Sequence, residues 1–367
     1  MPAPTTIRRL IVADLTIALD EPFGIAGGAQ DVARNLLVTV ELADGTRGYG
    51  EAAPFAAYNG ETQERARAAL LAAAPVVEGA DVREWRRIAA AVALAVGGVG
   101  SAQCAVETAV LDALARQAQM PLWAFFGGAA TTLETDMTVT TGTVAQAAAA
   151  AQAIRARGIR AIKIKVGGGD LGKDVARVLA VAEAAPGAPL IVDGNAAFAA
   201  DAALQLLAVL AEHDVRPALF EQPVARDDWD GLRQVSRWCG TAVAADESVA
   251  SAADALRLAC EQSAHVLNIK LMKGGIVQAL DIAAIARAAG LGLMIGGNVE
   301  SILAMTTSAC FAAGLGGFSF VDLDTPLFLA ENPFDGGMIY DGGTLHLEQI
   351  AAGHGVTPRL EPATQRE

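Results

Sequence analysis

The sequence predicts an α/β fold, a (β/α)7β TIM-like barrel preceded by an α+β unit. Three observations lead there. After about Leu133, eight short apolar runs alternate with helical stretches. Each run ends in a polar or charged cluster. Those clusters recur at the length of one strand-plus-helix unit: Lys165, Asp193, Glu221, Asp246 and Lys270 follow one another at intervals of 28, 28, 25 and 24 residues. Asp322 comes 52 residues later, two further units with "GGNVE" between them. In a closed parallel barrel these strand ends share one mouth, the face on which active sites are built.

Taken in order, "TIRRLIVADLTIAL" and "NLLVTVELADGTRGYGEA" alternate like strands, and Asp44-Gly45 between strand residues is a hairpin turn. Helical patterns follow over 61–77, 82–96 and 101–117, the last with Val106, Val110, Leu111 and Leu114 on one face. Residues 1–130 form this α+β unit. The barrel occupies 131–325, with strands in "DMTVTTG", "AIKIKV", "LIVDGN", "ALFEQP", "AVAADES", "VLNIKL", "LGLMIGGN" and "FSFVDLD".

Composition narrows the function classes. The chain of 367 residues is 53% apolar and carries a net charge of −14, which offers no basic face to a phosphate backbone and excludes a nucleic-acid partner. Cys104, Cys239, Cys260 and Cys310 lie far apart without metal-type spacing, as reduced thiols of a cytoplasmic protein do. The N-terminal stretch has arginines but no apolar run of a signal peptide. From Ser301 to Val321 no residue is charged, close to the ~20 residues of a membrane span. Thr306, Thr307, Ser308, Gly314, Gly316 and Gly317 interrupt it, so a buried helix leading into a barrel strand is expected, in a soluble protein without a membrane partner.

"AIKIKVGGGDLG" admits two incompatible readings. Gly167, Gly169 and Gly172 match the G-x-G-x-x-G of a dinucleotide-binding turn. Lys163 and Lys165, however, alternate with Ile162, Ile164 and Val166, so the period of two puts both lysines on one face. A doubly wound first strand is covered by helices on both faces and has no room for them. A barrel strand does, because its last inward residues face the mouth. The glycines are then the turn from strand to helix.

Asp193, Glu221 and Asp246 stand at the ends of three successive strands and converge. Ligation by carboxylate oxygens alone suits a hard cation, Mg²⁺ with Mn²⁺ as substitute. His213, His265, His346 and His354 fit neither a zinc site nor a Ser-His pair. Lys165 and Lys270 are four strands apart in a ring of eight, on opposite walls about the proposed metal. A neighbouring cation pushes lysine toward its neutral form, and two such bases can take a proton from one face of a carbon and return one to the other.

"KIKVGG", "VDGN", "FEQP", "ADES" and "NIKLMKGGI" resemble, in this order, the K-x-K, D-x-N, E, D-E and K of the enolase superfamily, specifically its muconate-lactonizing subgroup. The likeness covers essentially the whole chain, and "IGGNVES" lacks the histidine of the mandelate-racemase-like branch. The resemblance implies that the α+β unit is a capping domain completed by residues 326–367. It implies one Mg²⁺ per subunit on Asp193, Glu221 and Asp246, binding a substrate carboxylate and stabilising an enediolate, with Lys165 and Lys270 as the acid/base pair. Lys163 would contact the carboxylate and lower the pKa of Lys165, with Asn195 and Glu247 supporting the ligands.

Asp322 and Asp324, in "FVDLDTPL", both face the mouth by the period of two, and an ammonium on the substrate would account for them. A D-x-D here resembles that of the dipeptide epimerases, which implies that it holds the free α-amino group. Thr138 and Asn298 match substrate-contacting positions. The loop Pro22 to Ala33 would close over the mouth with Phe23 and Ile25 as apolar contacts, and it has no lysine or arginine to receive an acidic side chain, while Asp31 would repel one. The expectation is a Mg²⁺-dependent dipeptide epimerase with a hydrophobic C-terminal residue, acting as a homo-oligomer. Muconate cycloisomerase or o-succinylbenzoate synthase is the alternative enzyme, and a metal-binding barrel without turnover the alternative outside catalysis.

Overall fold

The computed structural model describes residues 3–25 and 28–359, with the side chains of Glu21 and Ile25 outside that description. All eight expected barrel strands form: Met137–Val139, Ile162–Lys165, Leu190–Asp193, Leu219–Glu221, Ala242–Ala245, Val266–Ile269, Gly292–Ile295 and Phe318–Val321. They pair in parallel and in chain order within one sheet. Seven helices connect them, from Val144–Ala156 to Ile302–Leu315.

The uncharged stretch is the last of these helices. Every residue of it from Ile302 to Gly314 is buried, so its lack of a polar face reflects burial within the protein. No helix among the described residues is long and apolar enough to cross a membrane.

The first and eighth strands meet without an extended ladder. Asp136 N donates to Val321 O at 2.9 Å, and Leu323 N donates to Thr135 Oγ1 at 2.9 Å. One residue pair further on, Thr138 N donates to a side chain, Asp324 Oδ2, at 2.7 Å. A carboxylate therefore stands where a backbone carbonyl would continue the sheet, and the backbone N–H stays satisfied.

In front of the barrel, Ile7–Ile25, Gly28–Leu42 and Arg47–Ala52 make an antiparallel sheet against the helices Gln63–Val77, Trp85–Ala95 and Gly100–Gln117. The sequence predicts a loop over 22–33, but the chain continues as a hairpin. Phe23 pairs with Gln30, Gly24 with Ala29 and Ile25 with Gly28, and residues 26–27 lie outside the described residues. Backbone pairing outweighed the glycines and proline that suggest a loop. C-terminal residues return to this unit: His354 is fully buried, its Nε2 3.0 Å from Tyr49 O and its amide N–H on Asp112 Oδ1 at 2.9 Å. Residues 360–367 lie outside the described residues.

The third strand of the sheet, "RGYGEA", carries glycines two apart, hence on one face. A Cβ on Gly48 would lie 2.1 Å from Ala109 O, and one on Gly50 2.0 Å from Ala105 O. Missing side chains let the helix Gly100–Gln117 lie backbone-to-backbone on the strand. Gly50→Ala is expected to destabilise by about 1–3 kcal/mol or more through overpacking. Gly168→Ala, where nothing lies within 4 Å and φ is unexceptional, should stay within about 0.5 kcal/mol of wild type. Urea unfolding of both variants measures the contrast.

Candidate active site

The strand register builds the site. Lys165, Asp193 and Glu221 are direct partners across the second, third and fourth strands, so their side chains form one row at the mouth. Asp246, Lys270 and Asp322 are each the first residue after their strands. Lys163 lies one inward position deeper than Lys165 on the same face.

Ion pairs answer the question raised by the two lysines. Lys163 Nζ, with no exposed surface, lies 3.0 Å from Asp193 Oδ2, 2.7 Å from Glu221 Oε2 and 2.7 Å from Asp322 Oδ2. Lys165 Nζ bonds Asp193 Oδ2 at 2.7 Å, and Lys270 Nζ contacts Asp246 Oδ2 at 2.7 Å. Burial opposes the charge on Lys163 and Lys270. The carboxylates around them outweigh it and hold both pKa values above the ordinary lysine value. Glu221 goes the other way: burial, and then the neighbouring Asp193 charge, push it up to about 7.

The donor set fits a hard divalent cation. Two buried oxygens, Asn195 Oδ1 and Glu247 Oε2, accept no hydrogen bond, and Glu221 Oε2 and Asp246 Oδ2 face only lysine nitrogens. Unprotonated carboxylate and amide oxygens are what Mg²⁺ prefers. Asp193, Glu221 and Asp246 could hold it, with Asn195 and Glu247 beside them. Asn195 also steadies Asp193 through its backbone, N to Oδ1 at 2.9 Å. A tighter carboxylate group lies elsewhere: among the described residues, Asp136, Asp322 and Asp324 are the three whose ligand oxygens fall within 4.8 Å of one another. In the former set the lysines stand between the carboxylates.

Lys165 and Lys270 line one small cavity together with Thr138, Asn298, Asp322, Asp324, Phe23, Phe55 and Tyr58. A larger cleft of about 390 Å³ adjoins it across Tyr58 and Asn195, but neither lysine reaches it. The smaller cavity is therefore where chemistry between them can occur. Phe23 packs edge-on against Phe328, centroids 5.5 Å apart, and forms an apolar wall. Ile25 ends its strand, and its side chain lies outside the described residues. Asn298 spends its amide nitrogen on Ala53 O at 3.0 Å, leaving Oδ1 open. Asp31 is exposed.

Sequence patterns did not mark several residues that hold the site. Tyr58, from the turn Ala56–Asn59, donates to Asp246 Oδ1 at 3.2 Å and covers Lys270 at 4.5 Å from its ring centre. Lys273 bonds Asp246 Oδ1 and three backbone carbonyls, which fix the loop behind that carboxylate. Asn268 Nδ2 bonds Glu221 Oε1 at 2.7 Å. Asn268 is an inward polar residue in an apolar strand, two before Lys270, and that alternation is its signal. Tyr58 has no comparable signal, because it is in the other unit.

Residues 7–127 match the mandelate racemase/muconate lactonizing enzyme N-terminal domain, and residues 145–363 match the enolase C-terminal domain-like family. The chain belongs to the enolase superfamily, in its muconate-lactonizing subgroup. Among superfamily members, an aromatic dipeptide epimerase of Herpetosiphon aurantiacus is 55% identical over 96% of this chain and 99% of its own. A mandelate racemase/muconate lactonizing enzyme structure from Roseiflexus sp. is 65% identical, with a TM-score of 0.94 over 98% of this chain and 100% of that one. A dipeptide epimerase of Enterococcus faecalis V583, solved with Mg and L-Leu-L-Tyr, is 32% identical with a TM-score of 0.92 over 96% and 99%.

One buried acid beside the site gives a pH test. Glu300 Oε1 accepts from Asn298 N at 2.6 Å, and Oε2 has no partner. Burial, with the nearby Glu51 charge, pushes its pKa from 4.5 up to about 8. A carboxyl whose folded pKa is raised stabilises fully below the unfolded value and loses that contribution as pH rises through the folded one. Glu300→Gln should therefore gain stability relative to wild type between about pH 4.5 and 8. The difference should reach a few kcal/mol at most, read from urea unfolding across that range.

Proposed function

We propose that this chain is a Mg²⁺-dependent dipeptide epimerase that inverts the α-carbon of the C-terminal residue of an L,L-dipeptide of the L-Ala-L-X kind, X being hydrophobic. One observation carries this reading: Lys165 and Lys270, from strands four apart in the ring, line a single cavity whose third side bears Asp322 and Asp324. A carbon between two lysines loses its proton to one and receives another from the opposite side, which inverts it. One base alone would return the proton to the face it left.

Bound to Asp193, Glu221 and Asp246, Mg²⁺ supplies a Lewis acid for the substrate carboxylate. Lys165 and Lys270 share Asp193 and Asp246 with that ion. Carboxylate charge spent on the cation no longer holds the lysines protonated, and this supports their use as bases. Lys163, between Asp193, Glu221 and Asp322, joins the metal end of the cavity to its acidic end. One ion per subunit, Mn²⁺ as a substitute of the same oxygen preference, and a homo-oligomer belong to this reading.

Asp322 and Asp324 support an ammonium-bearing substrate over muconate or succinylbenzoate, which lack one. Asp324 Oδ2 is occupied by the Thr138 N–H, while its Oδ1 is without a partner. Phe23, Phe55 and Thr138 flank the cavity and favour an apolar side chain at the inverted residue. The relatives named aromatic dipeptide epimerase and hydrophobic dipeptide epimerase, 55% and 38% identical, support the same choice.

Two experiments test this. With Mg²⁺ present, Lys165→Ala should lose exchange of the L,L substrate's α-proton in D₂O yet still wash deuterium slowly into the L,D isomer. Lys270→Ala should do the reverse, and neither should epimerise. Each loss should exceed the ~10²–10⁴-fold usual for one general acid/base. Near-normal epimerisation by either variant would replace two bases by one. A screen of L,L-dipeptides should rank apolar, aromatic-side-chain substrates above L-Ala-L-Glu, and the opposite order would reassign the pocket.

A further inference from the structure

Asp136 precedes the first barrel strand and is almost fully buried, at 1% exposed, yet no N–H or hydroxyl donates to either of its carboxylate oxygens, and its side-chain partner is the Asp322 carboxyl. One of its oxygens lies within 4.8 Å of a carboxylate oxygen of Asp322 and of one of Asp324. Asp324 Oδ1 is likewise buried and unpartnered. A structural carboxylate placed at a strand seam would be expected to bond a backbone N–H, as Asp324 Oδ2 does with Thr138 N. Asp136 bonds none. Its polar neighbours are the two other acids, with the Asp322 carboxyl within hydrogen-bonding reach.

The charges facing this cluster come from few elements. Lys163, on the second strand, contacts Asp322 and is shared with Asp193 and Glu221. Lys165 and Lys270 act on Asp322 at longer range, and the buried Glu300 carboxyl faces it from the segment after the seventh strand. From the C-terminal segment Tyr340 faces Asp324, and its hydroxyl donates to Leu323 O at 2.6 Å. One shared lysine contact cannot balance three buried carboxylates within 4.8 Å, and like charges so close do not all ionise. The empty cluster must hold protons.

We propose that Asp136 completes a proton-exchanging amine site, in which the cluster of Asp136, Asp322 and Asp324 gives up a proton as a primary ammonium binds. This rests on the D-x-D facing the substrate amine. A carboxyl O–H breaks, its proton leaves to water, and the carboxylate formed accepts an ammonium N–H. No electrons are exchanged. Asp136 does not line the cavity, so it is a positioning residue that acts through Asp322 and Asp324. The directions of titration agree. Burial and then the Asp322 charge raise Asp136 well above the carboxylate range, and the same two causes bring Asp324 to about 7. For Asp322, burial is outweighed by Lys163, and its pKa is lowered. A site of this kind takes a free amine and rejects an N-acylated one, because the neutral amide cannot replace the lost proton's charge.

The probe is L-alaninamide, which carries the amine without the carboxylate. Calorimetric titration of the Mg²⁺-loaded enzyme near neutral pH, in two buffers of different protonation enthalpy, counts the protons released. Wild type should bind L-alaninamide with proton release and should not bind N-acetyl-L-alaninamide. Asp136→Asn, nearly isosteric, should release fewer protons and bind about 10–100-fold more weakly, the range of one charged hydrogen bond. A purely structural role for Asp136 would leave the proton count unchanged. Proton-neutral binding, absence of amine-dependent binding in wild type, or an Asp136→Asn variant that matches wild type would each overturn the proposal. The wild-type count tests it even without the variant. Loss of the epimerase reading would show separately, as absent α-proton exchange with amine-linked proton release intact.

Discussion

Lys163 is the interaction on which the rest of the mouth depends. A fully buried ammonium is costly unless it is paired, and here three carboxylates from three strands, Asp193, Glu221 and Asp322, surround one nitrogen. Those carboxylates would repel one another without it. Lysine and acid are therefore mutually required, and the pairing sets how far the strand ends can approach. It also couples the two ends of the cavity, since any cation that takes Asp193 and Glu221 changes what remains to balance Asp322.

A second constraint joins the barrel to the unit in front of it. Glu51, on the third strand of the antiparallel sheet, is buried and accepts from Ser301 N at 3.0 Å and Asn35 Nδ2 at 2.7 Å. Ser301 caps the helix Ile302–Leu315, so a carboxylate of one unit sits at the N-terminal dipole of a helix of the other. Asn35 Nδ2 also reaches Val299 O at 3.0 Å, and Asn298 Nδ2 reaches Ala53 O at the same distance. The loop after the seventh strand is thereby held against the sheet that carries Phe23. A cavity bounded by both units keeps its shape only if such contacts are satisfied.

The barrel seam shows how a structural need and a chemical one share residues. Asp324 seals the backbone between the first and last strands and at the same time lines the cavity. A substitution there would act on both, so loss of activity would not by itself identify the role. Asp136 separates them, because no backbone N–H of the sheet donates to its side chain.

Periodicity made the barrel legible. Strands of period two, separated by helical stretches of near-constant length, leave few arrangements, and the charged residues at each strand end then share one mouth because parallel strands all point the same way. Lys165, Asp193, Glu221, Asp246, Lys270 and Asp322 could be placed from spacing alone. The extent of the hairpin at 22–33 could not, because pairing between strands outweighs local glycine and proline preferences. Nor could Tyr58, Lys273 or Asp136. Tyr58 reaches Asp246 across 188 residues of chain, and Asp136 meets Asp322 only where the ring closes. Sequence distance carries no information about such contacts. Local pattern determined which residues face inward, and the packing of one unit on the other, with closure of the ring, decided which of them touch.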